Sequence, residues 1–96
     1  MSTRGIFLTA MIVTAAPVAA QPAAPPGAAA CSGCHMPAAL PGIAIPPLRG
    51  RAADDITTAM RAFRAGERAA TVMDRIAKGF SDDEVQAIAA WYAAQR

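Results

Sequence analysis

Five consecutive residues, Cys31–His35, constrain this chain more than any other feature. They read CSGCH and hold both cysteines and the only histidine of the 96-residue sequence. A disulfide between cysteines three positions apart closes a very small loop and constrains little of the unfolded chain. A disulfide between them would therefore stabilise the fold very little, and the thiols and the imidazole are available for other chemistry.

The first 20 residues predict a secretory signal peptide. Arg4 gives a positive start, residues 6–13 are mainly apolar, and Val18 and Ala20 stand three and one positions before a cut after Ala20. An apolar run this short is poorly suited to spanning a bilayer, although an uncleaved membrane anchor is the alternative. We expect cleavage near Ala20, a periplasmic location and no stable membrane insertion of the mature chain.

The mature chain is hard to stabilise by its own core. Domains of about 60 residues bury only about 60% of the surface that they expose when unfolded, and large apolar residues are scarce in this sequence. A chain of this kind usually needs a disulfide, a metal or a bound cofactor. Removing Arg4 lowers the formal net charge from +2 to +1, which does not indicate nucleic-acid binding.

The mature chain predicts a single all-α domain. Residues 21–27, QPAAPPG, are a Pro/Ala-rich tether that we expect to be mobile or extended, and residues 28–96 form the domain. A short helix leads into the CSGCH motif. Residues 36–52 contain several prolines and predict an irregular loop.

Apolar spacing predicts three further helices. The first covers about residues 53–65 and ends at Gly66, and the second covers about residues 69–78. The third begins at Ser81, because Glu84 three residues later completes a capping box. The apolar face of the first helix consists of Ile56, Met60 and Phe63. The buried stripe of the third helix consists of Val85, Ile88, Ala89 and Tyr92, with Trp91 on its flank.

The spacing Cys-x-x-Cys-His is the attachment signature of c-type haem. Cys31 and Cys34 can form thioethers to the two vinyl groups of one porphyrin, and His35 then supplies the proximal imidazole to the iron. The motif occurs once, so we expect one covalent haem c with three to four short helices wrapped around it. A thioredoxin-like redox pair would need a strand–helix–strand unit, and structural zinc would need a fourth ligand.

The second axial iron ligand is predicted by elimination. Two histidines are excluded, and two of the five methionines leave with the leader. Met36 directly follows the proximal histidine and cannot easily reach the opposite face of the ring. Met60 lies on the apolar face of its helix, which favours a core role. Met73 remains as the distal ligand, with an open or differently ligated iron as the alternative; His/Met ligation raises the reduction potential.

A longer segment, residues 63–81, adds a family resemblance. It matches the pattern F-x-S-G-E-R-x-A-T-x-M-x-R-I-A-K-G-Y-[ST], with Ala65 in place of the serine and Phe80 in place of the tyrosine. Together with CSGCH and IPPLRG, it resembles the class I cytochromes c, and most of all the cytochrome subunit of flavocytochrome c sulfide dehydrogenase. The resemblance covers residues 31–93.

This resemblance implies that Met73 is the distal ligand and that a sulfide-oxidising flavoprotein passes electrons to the haem. Two departures are visible. The segment before Cys31 is short and proline-rich, so we expect the usual N-terminal helix to be truncated, and we expect no second haem domain of the kind that some relatives have.

The predicted function is one-electron transfer by a non-catalytic protein. The chain is either the haem subunit of a sulfide-oxidising complex or a free-standing periplasmic carrier that serves another dehydrogenase, reductase or oxidase. A catalytic haem with an open site is a third hypothesis. Arg61, Arg64 and Arg68 share one flank of a helix; they form a docking face for an acidic partner, or a solvated face and partners for the haem propionates.

Overall fold

A computed structural model describes residues 1, 5, 10–18 and 22–96. Within these residues the chain forms helices and no strand, which confirms the predicted all-α class. The four helices are α1 (Ala28–Cys31), α2 (Ala53–Ala65), α3 (Met73–Ala77) and α4 (Asp82–Ala94).

Helix α2 has the predicted bounds, and its end explains why α3 is shorter than predicted. Gly66 caps α2 with a left-handed φ of 73°, a conformation that glycine adopts without steric cost. The next two N–H groups, of Glu67 and Arg68, both donate to the Ala62 carbonyl. The backbone there is committed to finishing α2, so the helix predicted from residue 69 begins only at Met73.

Helix α4 begins as predicted. The backbone N–H of Glu84 donates to the Ser81 hydroxyl at 3.2 Å, and that hydroxyl donates to the Glu84 carboxylate at 3.0 Å. The second bond differs from a capping box, in which the glutamate accepts from the backbone of the serine. Three acidic residues in the first turn favour the positive end of the helix dipole.

The core is small and lies where α1, α2 and α4 meet. The four predicted residues of the α4 stripe are all buried, and Trp91 is partly buried on the flank. The central cluster consists of Ala28, Ile56, Ile88, Ala89 and Tyr92. Only Tyr92 is aromatic, which agrees with the expectation that the chain needs a further core element.

The segment 22–27, which we expected to be mobile or extended, makes defined contacts. The Trp91 indole donates to the Pro22 carbonyl at 3.2 Å. Gly27 has a φ of 87°, and a Cβ placed on it would lie 2.7 Å from Cε1 of Phe80. The segment therefore packs on α4 and Phe80.

The predicted leader lies partly outside the described residues: Arg4, residues 6–9 and the cut after Ala20 belong to the part that the structure does not describe. Residues 10–18 have no regular secondary structure. Their large apolar side chains, of Met11, Ile12, Val13 and Val18, are exposed. Among the described residues, no helix has the length and apolar character needed to cross a bilayer.

Candidate functional site

A cavity of about 1190 Å³ opens between α1, the loop before α2, α2 itself and the segment around α3. Pockets for small molecules usually measure about 300–1,000 Å³, so this one suits a group larger than most metabolites. Its wall is mainly apolar and includes Ile45, Leu48, Ile56, Phe63, Ile76 and Ile88.

The structure brings all four predicted site residues to this cavity. Cys31 ends α1, Cys34 and His35 follow in the next turn, and Met73 begins α3; each lines the wall. These side chains come from two parts of the chain, 38 residues apart between His35 and Met73.

The other two methionines of the mature chain differ in position. Met36 is 43% exposed and is not among the residues that line the cavity, which agrees with its elimination. Met60 packs against the central cluster, as predicted, and it also faces the cavity. The wall therefore carries two thioethers. Met60 packs against the central cluster, whereas Met73 does not.

The CSGCH segment folds as a compact turn. The N–H groups of Cys34 and His35 both donate to the Cys31 carbonyl, at 3.2 and 2.9 Å. Both thiols are free. Burial raises the pKa of the Cys31 thiol, so this side chain is protonated at neutral pH, and it donates to the Gly27 carbonyl at 3.6 Å.

The imidazole of His35 is oriented by the proline-rich loop. Its Nδ1 lies 2.6 Å from the Pro46 carbonyl oxygen. A carbonyl only accepts, so Nδ1 carries the proton and Nε2 keeps a free lone pair for a metal. Sequence reasoning missed Pro46; the only signal was the run IPPL, whose prolines lack N–H groups and prevent regular pairing.

The arginines that the sequence placed on one flank of α2 and its extension have different surroundings in the structure. Arg64 pairs with Asp82 at 2.7 Å. Arg68 stacks over the Phe63 ring, with Cζ 4.9 Å from the centroid, and lines the cavity. Arg51 also lines the wall. Arg51 and Arg68 thus favour the interpretation as propionate partners, while Arg64 is engaged within the chain.

The alternatives to haem find little support. In the described part of the chain, no group of three or more His, Cys, Asp or Glu side chains is arranged to hold a metal ion. The strand–helix–strand unit that a thioredoxin-like pair needs does not occur there either. By contrast, two thiols, one oriented imidazole and two thioethers, of Met60 and Met73, around a large apolar cavity fit a c-type haem.

Comparison with known protein families decides the class. Residues 22–91 match the family model described as cytochrome c oxidase, cbb3-type, subunit III. The chain belongs to this family of c-type cytochromes. The predicted class is thereby confirmed, and with it a haem cofactor, for which covalent attachment is typical, and a role in electron transport.

Two relatives are more specific in name. The cytochrome subunit of sulfide dehydrogenase of Chlorobaculum tepidum is 37% identical over 62 residues, which cover 65% of this chain and 56% of that protein. The thiosulfate dehydrogenase electron acceptor of Stutzerimonas stutzeri is 40% identical over 67 residues, which cover 66% of this chain and 31% of that protein. This cytochrome thus spans about half of the first relative and about a third of the second.

Proposed function

We propose that this cytochrome is exported and carries single electrons through one haem c, as the haem subunit that accepts electrons from a sulfide-oxidising flavoprotein. Cys31 and Cys34 hold the haem covalently, His35 is the proximal iron ligand and Met73 is the distal ligand. The observation that carries this proposal is the meeting of these four side chains at one large apolar cavity.

Each of these residues has a defined task. The thiols of Cys31 and Cys34 anchor the porphyrin, and the Pro46 carbonyl fixes the His35 tautomer so that Nε2 remains a ligand. The thioether of Met73 is a soft, neutral ligand that favours the reduced iron. When bound, haem c supplies one-electron Fe(III)/Fe(II) cycling. The apolar wall would exclude water from the haem, and His35 and Met73 would hold its iron, so the group would serve electron transfer rather than substrate binding.

The electron source is inferred from the sulfide dehydrogenase relative. That protein is named as a cytochrome subunit of this enzyme, and the segment 63–81 resembles the same family. A c-type cytochrome in such a complex needs only a partner within electron-transfer distance. The catalytic flavin would then belong to the partner, in agreement with a non-catalytic role for this chain.

A second candidate function rests on the other relative, which is named as an electron acceptor of thiosulfate dehydrogenase. It supports a free-standing periplasmic carrier that takes electrons from another dehydrogenase. The two candidates share the same haem site, so they differ only in the partner and in the lifetime of the complex.

Export is supported by the position of the family match and by the leader. The match begins at residue 22, directly after the predicted leader 1–20. The apolar side chains of residues 11–13 and of Val18 make no buried contacts, as expected of a segment that is removed. We therefore propose a domain of residues 28–96 preceded by the segment 21–27. Intact mass of the protein isolated from the periplasm tests this, and a mass that includes residues 1–20 would contradict it.

The partner is tested by reduction kinetics. The haem-loaded protein is mixed with its candidate flavoprotein and sulfide, and the rise of the reduced haem band is followed by stopped flow. We expect sulfide to reduce the haem much faster with the flavoprotein than without it. Equal rates would refute the subunit hypothesis, and rapid reduction by a thiosulfate dehydrogenase instead would support the free carrier.

The distal ligand is tested by Met73→Ala. The oxidised protein should lose its weak near-infrared sulfur-to-iron band, and its reduced form should bind carbon monoxide without denaturant. Met60→Leu is the matched control, because Met60 is the other thioether in the cavity wall. A band that survives Met73→Ala but disappears in Met60→Leu would assign the ligand to Met60.

A further inference from the structure

The stretch that connects α2 to α4 is held by few buried contacts. We call residues 66–81 the distal segment, because it carries Met73. Residues 65–72 are all exposed, and Ala77 is the one buried residue of the segment. Its helix, α3, has only five residues, and helices this short are not stable by themselves. The position of Met73 is therefore supported by only a small area of buried apolar surface.

Arg64 joins the two ends of the distal segment. It lies in the last turn of α2, where the segment begins. Its Nη1 donates to the Asp82 carboxylate at 2.7 Å, and its Nη2 donates to the Phe80 carbonyl at 3.0 Å. Phe80 and Asp82 stand where the segment ends and α4 begins. One guanidinium group thus links the end of α2 to the start of α4, beside the packing of α3 on α2 and of Phe80 on the central cluster.

The surroundings of Arg64 distinguish it from a solvated surface cation. Its side chain is 32% exposed, and its Nε is buried without a partner. Among the described residues, Arg64–Asp82 is the one ion pair that the chain forms. The side chain is therefore partly withdrawn from solvent where it lies against the end of the segment.

We propose that Arg64 is a positioning residue for the distal ligand: by tying Phe80 and Asp82 to the end of α2, it closes the distal segment and holds Met73 in the wall of the cavity. This inference rests on the proposed assignment of Met73 as the distal ligand. Without the arginine, the segment opens more often, and the thioether leaves its place while the rest of the domain stays folded.

The test uses the oxidised, haem-loaded protein and imidazole. Imidazole can take the distal position only when Met73 leaves it, so the apparent affinity for imidazole reports opening of the segment. It is measured by titration, with loss of the near-infrared band as the signal. We expect Arg64→Gln to increase the apparent affinity by about tenfold, the effect of one charge-assisted hydrogen bond on an equilibrium. Arg64→Lys, which keeps the charge and can still reach Asp82, should recover part of the loss.

Two control variants separate positioning from other effects. Tyr92→Phe removes the buried hydrogen bond from α4 to the Ala28 carbonyl in α1, so we expect it to lower global stability towards guanidinium without opening the distal segment. Arg61→Gln removes a cation from the same helix, one turn away from Arg64. We expect both controls to leave the imidazole affinity within twofold of the parent. Asp82→Asn, which keeps Arg64 in place, should give a smaller increase than Arg64→Gln.

The outcomes are distinct. If Arg64→Gln changes the imidazole affinity no more than the two controls do, the inference is wrong even where Met73→Ala has verified the ligand. If the parent protein lacks the near-infrared band, or keeps it in Met73→Ala, the ligand assignment fails and this inference fails with it. If Arg64→Gln does not accumulate with haem, Asp82→Asn and Arg64→Lys provide the same comparison.

Discussion

The two sides of the cavity are built in different ways. On the side of Cys31–His35, the chain is fixed by contacts between its distant ends: Ala28 is fully buried, and its carbonyl accepts from the Tyr92 hydroxyl at 2.6 Å. On the side of Met73, a short helix packs on α2, and Arg64 supplies the polar connection. The first side is part of the core, whereas the second is a loop held at its ends.

This difference matters for a protein that carries electrons. The proximal side has to keep the cofactor, so permanent, buried contacts suit it. In the proposed assignment, the Met73 side supplies a soft ligand, and a locally anchored segment can do so without a large core. Local opening is expected first where buried apolar contacts are few, so exchange of the axial ligand should occur on the Met73 side.

The largest effect should follow removal of the proximal imidazole. His35→Ala deletes the only histidine, so we expect almost no low-spin haem protein to accumulate. Met73→Ala should accumulate with covalent haem in amounts comparable to the parent. Haem content per protein, measured as the pyridine haemochrome, checks this. Equal losses of haem in the two variants would contradict the comparison, because they would show that the His35 side and the Met73 side contribute equally to haem retention.

Next in size is the truncation of the buried ring that links α4 to α1. Tyr92→Ala should lower the free energy of unfolding by about 3–5 kcal/mol, the usual cost of deleting a buried aromatic side chain. Tyr92→Phe should cost about 1 kcal/mol, because it loses only the hydrogen bond to Ala28. Guanidinium unfolding of the haem-loaded protein measures both. The near-infrared band of the native state should persist in Tyr92→Phe; its loss would show that the two sides are not independent.

A smaller effect is expected at Gly27. Gly27→Ala places a side chain at positive φ, which costs about 1–2 kcal/mol, and brings its Cβ to 2.7 Å from the Phe80 ring. Gly42→Ala is the matched control, since Gly42 has a similar φ of 75° and no atom within 4 Å of the added Cβ. The difference in unfolding free energy between the two variants isolates the contact with Phe80. Identical values would mean that segment 22–27 does not depend on this contact.

The smallest effect concerns pH. The hydrogen bond from Arg64, its charge and the charge of Arg61 together lower the pKa of Asp82. Because the folded-state pKa is depressed, the ion pair contributes stability above the unfolded-state pKa, and this contribution is lost as pH falls through the folded-state pKa. A carboxyl NMR titration should show the Asp82 midpoint below the usual aspartate range, and Arg64→Gln should return it towards that range. An unchanged midpoint would mean that Arg64 and Asp82 do not pair in solution.

Much of the local structure could be predicted from the sequence. Gly66 and Ser81 mark helix ends through their own backbone and side-chain preferences, and the apolar period of α4 identifies the face that is buried. The CSGCH motif and the elimination among methionines pointed to side chains that the structure brings to one cavity. These are features that a few neighbouring residues specify.

The contacts that hold the site could not be predicted in the same way. His35 with Pro46, Arg64 with Asp82 and Trp91 with Pro22 each join residues far apart in sequence. Periodicity tells which face of a helix is apolar, but not which distant polar atom a side chain will reach. For this reason Arg64 could be interpreted as a surface cation, and the contact of Pro22 with Trp91 could not be foreseen in a tether, residues 21–27, that was expected to be mobile or extended.

The shortness of α1 has a consequence for the order of events during biogenesis. A helix of four residues cannot persist alone, and its supports, Tyr92 and Trp91, lie 64 and 69 positions further along the chain from the carbonyls that they bind. They are therefore synthesised after Cys31–His35. Until then Cys31–His35 is an accessible peptide with free thiols, so the proposed attachment of haem at this motif would precede the folding that encloses it.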